Sequence, residues 1–221
     1  MKELRQGDIH AVVRTLREKK EMWDVPIVTL MAQSTKDPFK VLISTILSLR
    51  TLDSTTAEVS KRLFSYVNCP DDVLKLSLNE LENAIYPVGF YKTKARTIRR
   101  LCTELVEKYG SRVPDDLDEL LKFKGVGRKT ANLVVTLGYG KPGICVDTHV
   151  HRISNRLGYV KTQSPEGTET ALRKRLPKEY WIEYNDILVS FGQHLCRPIS
   201  PKCSVCPVEQ YCDKVGVTRS R

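Results

Sequence analysis

Apolar residues return at helical spacing along almost the whole chain, and this period limits the fold more than any other feature. Ile9, Val12, Val13 and Leu16 form one stripe; Ile98, Leu101, Cys102, Leu105, Val106 and Tyr109 form another, closed by Gly110. Asp37-Pro38 and Ser164-Pro165 each read as an N-cap residue followed by proline in the first turn, and Asp53 and Asp147 are further N-cap candidates. No run of alternating β-branched residues is flanked by hairpin turns, and the short GICV before Asp147 reads as buried chain rather than strand. The expected fold class is all-α. With 221 residues, 41% of them hydrophobic, the chain can bury one large core or two small ones. It has no fixed-period repeat and no long polar linker, so two domains would pack closely, with Lys141-Pro142-Gly143 as the best boundary.

Lys and Arg together number 36 against 26 Asp and Glu, a net charge of +10 that favours a polyanion such as nucleic acid over a merely soluble basic protein. No apolar run approaches the roughly 20 residues a membrane helix needs, and MKELRQGDIH lacks the apolar centre of a signal peptide. We therefore expect an intracellular protein with no membrane partner. Seven cysteines in a reducing compartment do not suggest disulfides, and four of them, Cys196, Cys203, Cys206 and Cys212, crowd the C-terminus as a metal site would require. Cys69, Cys102 and Cys145 read as small buried hydrophobes.

The stretch DLDELLKFKGVGRKTANLVVTLGYG reads as a helix ending near Phe123, a tight turn through Gly125-Val126-Gly127, and a second helix running to about Gly138. Glycines there let the chain approach a ligand closely, and the amides of the turn, with Arg128 beside them, suit a DNA phosphate. A packed αα-hairpin whose glycines only make the turn explains the same residues.

Taken together, GVGRKTAN, the VDTHVHRISNR that follows eighteen residues after Lys129, and a terminal C-x6-C-x2-C-x5-C resemble the helix-hairpin-helix DNA glycosylases, and within them the endonuclease III type. The resemblance covers nearly the whole chain. It implies that Lys129 is a nucleophile and that Asp147 assists it. A neutral lysine amine can displace a damaged base at the sugar C1′, giving a Schiff base that permits β-elimination of the 3′-phosphate. Asp147 at a helix start would stabilise charge developing on the sugar or take the proton from the amine. If the chain crosses between lobes at Lys141-Pro142-Gly143, the two residues lie on different lobes of one cleft. Read singly, Lys129 is a solvated phosphate contact and Asp147 a structural cap.

An enzyme acting on a base must remove it from the stack, and something must fill the gap. The resemblance implies two such loops. VGFYKTKA makes Phe90 a candidate wedge with Lys92 and Lys94 near the DNA backbone; ILSLRTLD places Arg50 and Asp53 in the other loop, where endonuclease III commonly has glutamine at the position of Arg50. Lys124 also departs from the pattern, since many relatives have proline there. His149 and His151 are read as structural or phosphate-contacting rather than as metal ligands.

Four thiolates within seventeen residues suit tetrahedral zinc or a [4Fe–4S] cluster. Only Cys203 and Cys206 form a close pair, whereas four-cysteine zinc sites usually show two. The resemblance implies the cluster, with Arg197 and Lys202 of its loop against phosphates.

The chain is thus expected to be a two-lobed helix-hairpin-helix DNA glycosylase fold: residues 30–141 carry the hairpin, and residues 1–29 and 142–221 together form the cluster domain. Its expected function is excision of oxidised or damaged pyrimidines from double-stranded DNA with abasic-site cleavage, as a monomer. Alternatives are a glycosylase for mismatched or deaminated bases and a non-catalytic DNA-binding module.

Overall fold

A computed structural model describes residues 8–20, 23 and 37–221. The chain divides into two compact units, one made of Met1–Pro26 with Pro142–Arg221 and the other of Ile27–Lys141. The boundary expected near residues 29 and 30 lies outside the described residues. All regular structure among the described residues is helical. No described helix is long and apolar enough to cross a membrane.

Numbered along the chain, the described helices are α1 (Asp8–Lys20), α2 (Pro38–Ser48), α3 (Asp53–Leu63), α4 (Pro70–Lys75), α5 (Leu78–Ile85), α6 (Tyr91–Tyr109), α7 (Leu117–Leu121), α8 (Arg128–Leu133), α9 (Thr148–Arg156), α10 (Pro165–Arg175) and α11 (Trp181–His194). In the unit of α2 to α8, α2 is the central element. Eight of its residues, Phe39 to Leu47 except Lys40, are buried, the pattern of a helix covered on all sides, and it packs on α3, α6 and α8. Asp37 caps it, accepting from the Phe39 and Lys40 amides, with Pro38 in the first turn as expected. The long α6 ends at Gly110, whose φ of 57° supplies the left-handed C-cap.

Asp53 is not the N-cap of α3. Leu52, in extended conformation, holds that place without a side-chain bond, and Asp53 is the first helical residue, where its charge still favours the helix start. Beyond Leu133, the hairpin's second helix widens into a π turn, Val134–Gly138, which the apolar spacing did not announce. Cys102 is buried as expected, with its thiol pushed up to about 12 by desolvation, but Cys69 is only half-buried at the cap of α4.

The other unit gathers α1 and α9 to α11. Ile9, Val12, Val13 and Leu16 bury one face of α1 in a core with Val150, Ile153, Leu172, Tyr184, Leu188 and Phe191. Ile144, Cys145 and Val146 are buried chain without strand pairing, as the sequence suggested. Ser164 caps α10 through the Gly167 amide.

Candidate functional site

The hairpin starts where α7 stops. Phe123 is buried with its ring tilted against Tyr109, the Phe123 carbonyl accepts from the Val126 amide at 3.0 Å, and Val126 is buried while Gly125, Gly127 and Arg128 are exposed. Arg100 Nη2 donates to the Lys124 carbonyl at 2.8 Å, which ties the turn to α6. Lys124 thus contributes backbone to the hairpin while its side chain faces solvent.

The two glycines are there for different reasons. Gly125 has φ +99°, and a Cβ would stand 2.6 Å from Thr97 Cγ2, so both conformation and packing forbid a side chain. Gly127 has φ −94°, which any residue adopts, and open space where a Cβ would stand. Neither its φ nor its described neighbours require glycine there. Gly125→Ala should cost about 1–3 kcal/mol of stability, whereas Gly127→Ala should melt as wild type and bind duplex DNA about tenfold more weakly. Thermal melts beside DNA titrations check both halves, and wild-type affinity in Gly127→Ala would remove the phosphate role of the turn.

Lys129 is the second residue of α8 and half-buried, between exposed Arg128 and buried Thr130. Asp147 is the N-cap of α9: its Oδ1 accepts from the His149 and Val150 amides, each at 2.9 Å. A carboxylate so held is fixed in direction. Lys129 belongs to one compact unit and Asp147 to the other.

Arg50 and Phe90 come together. The Arg50 guanidinium lies over the Phe90 ring, 5.7 Å from its centroid, and Phe90 is 64% exposed. Leu52, 75% exposed, adds a second apolar side chain to the Arg50 segment. Asp53 is exposed beside it, and Lys92 is exposed in the first turn of α6. Lys94, expected near the DNA backbone, turns into the protein instead. It is 7% exposed, and its Nζ donates to Leu47 O at 2.7 Å, Leu49 O at 2.6 Å and Thr51 Oγ1 at 2.9 Å. Desolvation pulls its pKa down to about 8.

In the other unit, Cys196, Cys203, Cys206 and Cys212 line one cavity, walled by Ile153, Leu157, Phe191 and Val208. Burial pushes the Cys206 thiol up to about 11 and raises Cys212 as well. Among the described residues no three His, Cys, Asp or Glu side chains form a group that could hold one metal ion. Two arginines that sequence reasoning missed organise this cavity. Buried Arg156 donates from Nη1 to Cys196 Sγ (3.3 Å) and Arg197 O (2.9 Å), and from Nη2 to Pro198 O (3.2 Å). Arg152 donates from Nη2 to Cys196 O (2.9 Å) and His149 Nδ1 (3.2 Å). Their i,i+4 spacing on the helix that Asp147 starts was the available signal. His151 Nδ1 lies 2.6 Å from Thr168 Oγ1, a structural contact. Arg197 is exposed, while Lys202 is half-buried on the cavity wall.

Helices joined by a glycine hairpin among the described residues define a helix-hairpin-helix protein, and residues 43–178 match the family model described as HhH-GPD superfamily base excision DNA repair protein. An endonuclease III of Thermotoga maritima is 51% identical over 177 residues, covering 80% of this chain and 83% of that one. A solved endonuclease III, trapped as a covalent DNA intermediate with an estranged adenine, superposes with a TM-score of 0.84 at 38% identity over 96% of this chain and 97% of its own. A thermostable thymine-DNA glycosylase superposes with a TM-score of 0.81 at 25% identity, over 93% and 95%. The chain belongs to the endonuclease III family of the HhH-GPD superfamily.

Proposed function

We propose that this protein is a bifunctional DNA glycosylase and abasic-site lyase of base excision repair, acting on oxidised or damaged pyrimidines in double-stranded DNA. The observation that carries the reading is Lys129, at the start of the helix that follows the glycine hairpin, in a chain alignable over 96% of its length with an endonuclease III trapped covalently on DNA. The Lys129 amine attacks C1′, the base leaves with the electrons of the glycosidic bond, and opening of the sugar gives an iminium between C1′ and Nζ. Loss of a C2′ proton then expels the 3′-phosphate. Asp147 is the carboxylate that balances positive charge on the sugar and accepts the amine's proton. Gly125, Val126, Gly127 and Arg128 hold a phosphate; Arg50 and Phe90 fill the gap left by the extruded base. Such a protein works in the compartment that holds the chromosome.

Cys196, Cys203, Cys206 and Cys212 would hold a [4Fe–4S] cluster, whose part is to fix the Arg197–Lys202 segment against the DNA. Four cysteines around one cavity supply the four thiolates such a cluster takes, and the endonuclease III likeness favours it over a tetrahedral zinc. The purified protein should carry about four irons and four sulfides per chain; about one zinc and no iron would overturn the cluster.

The likeness to a thymine-DNA glycosylase favours a second substrate class, mismatched thymine. Matched duplexes bearing thymine glycol, a T·G pair or a preformed abasic site decide between them. Release of thymine glycol with strand cleavage is the expected result. Cleavage confined to T·G and abasic duplexes would move the substrate, and inert duplexes throughout would leave only a DNA-binding module.

A further inference from the structure

The two residues proposed to enter the DNA stack are both held in an unfavourable backbone conformation. Arg50 has φ 53° and Phe90 φ 57°, in the left-handed region that side chains avoid. Such conformations persist only where surrounding contacts determine them. Around Arg50 and Phe90 those contacts run through the neighbouring residues Leu49, Thr51 and Gly89 and meet at Lys94.

Lys94 is bonded to both segments. Its backbone amide donates to Phe90 O at 3.0 Å, in the first turn of α6. Its Nζ reaches across to the end of α2, where carbonyls lack helical partners, and gives one proton each to Leu47 O, Leu49 O and Thr51 Oγ1. An ammonium has three protons, and all three are used. Thr51 Oγ1 in turn accepts from Gly89 N at 3.1 Å, which closes the network onto the residue before Phe90. Gly89 itself sits so close that a Cβ would stand 2.5 Å from Arg50 O. The Arg50 guanidinium over the Phe90 ring is the outer face of this assembly.

We infer that Lys94 is a positioning residue for base extrusion: from inside the fold it locks the Arg50 and Phe90 segments into one rigid wedge, and it touches no DNA. The inference rests on the proposed role of Phe90 and Arg50 in filling the gap. A wedge already formed in the free protein spends no binding energy on ordering two loops when the base leaves the stack. Loss of the lock therefore weakens binding where a base is missing or extruded, and leaves binding to intact duplex as it was.

That pattern separates a positioning lysine from a phosphate contact. Affinity for a duplex with a tetrahydrofuran abasic analogue and for the same duplex undamaged is measured across a salt series for wild type, Lys94→Met, Thr51→Val, Phe90→Ala and Phe90→Ala/Lys94→Met. Thr51→Val removes one acceptor without leaving α2 carbonyls unpaired, so it reports even where Lys94→Met fails to fold. The expected result is a loss of about tenfold on the abasic analogue in Lys94→Met, with a smaller loss in Thr51→Val. Binding to undamaged duplex and the salt slope should stay at wild-type values. The double variant should be no weaker than Phe90→Ala alone, since the lock acts through Phe90.

Uniform weakening on both duplexes, with the salt slope falling by about one, would overturn the inference by making Lys94 a phosphate contact. Wild-type binding in both Lys94→Met and Thr51→Val, beside a defective Phe90→Ala, would overturn the lock while leaving the wedge. Wild-type binding in Phe90→Ala would remove the wedge reading and the lock with it.

Discussion

Lys129→Ala should abolish base excision and strand cleavage together, with single-turnover rates falling at least about a thousandfold, while duplex binding stays within a few fold of wild type. A nucleophile that forms the covalent intermediate cannot be replaced by water held in the same place without losing both steps, because the Schiff base drives the elimination that follows. Binding should survive because the turn proposed to hold a phosphate is made by backbone at Gly125 to Gly127, which the substitution leaves alone. The fold survives as well: alanine is a good helix former, and Lys129 lies in the first turn of α8, half-buried, with no core volume to vacate. A variant that excises bases but no longer cuts would show that water, not Lys129, attacks C1′. A variant that keeps both activities would make Lys129 a solvated cation.

Asp147→Asn should slow excision by about 10²–10⁴-fold with almost no change in melting temperature. The substitution is chosen because asparagine caps helices as well as aspartate does, so the bonds from the His149 and Val150 amides persist. Only the charge is lost, worth about 0.3–1 kcal/mol at a helix start. Rate and stability thereby separate: a residue that only caps would show the same small change in both. Asp147→Ala removes cap and charge together and should lose about 1 kcal/mol of stability besides the rate. An active Asp147→Asn would confine Asp147 to the cap.

Much of this molecule can be read from local pattern. The stripes of α1 and α6, the Asp37 and Ser164 caps and the Gly110 stop are decisions taken within a few residues, and local chemistry announces them. Asp147 as a cap belongs to the same class. Asp53 does not, because the Arg50-Thr51 turn fixes where the chain enters α3 and passes the cap position to Leu52. Lys94 was illegible for a related reason. A lysine in a basic segment reads as solvated unless the carbonyls it binds are known, and those lie more than forty residues away, at Leu47 and Leu49. Arg156 is similar, since its partners at Cys196 to Pro198 are distant in sequence. The cysteine spacing raises the expectation of a metal site unaided, but the choice of iron over zinc comes from the family resemblance, because spacing alone leaves both chemistries open.

The central claim is that one named lysine bonds to the sugar. Incubating the protein with a thymine glycol duplex, reducing with borohydride and mapping the adduct by peptide mass spectrometry tests it most directly. The account requires the reduced sugar on Lys129, and its disappearance in Lys129→Ala. An adduct on another residue, or none in a preparation that still releases the base, would contradict it.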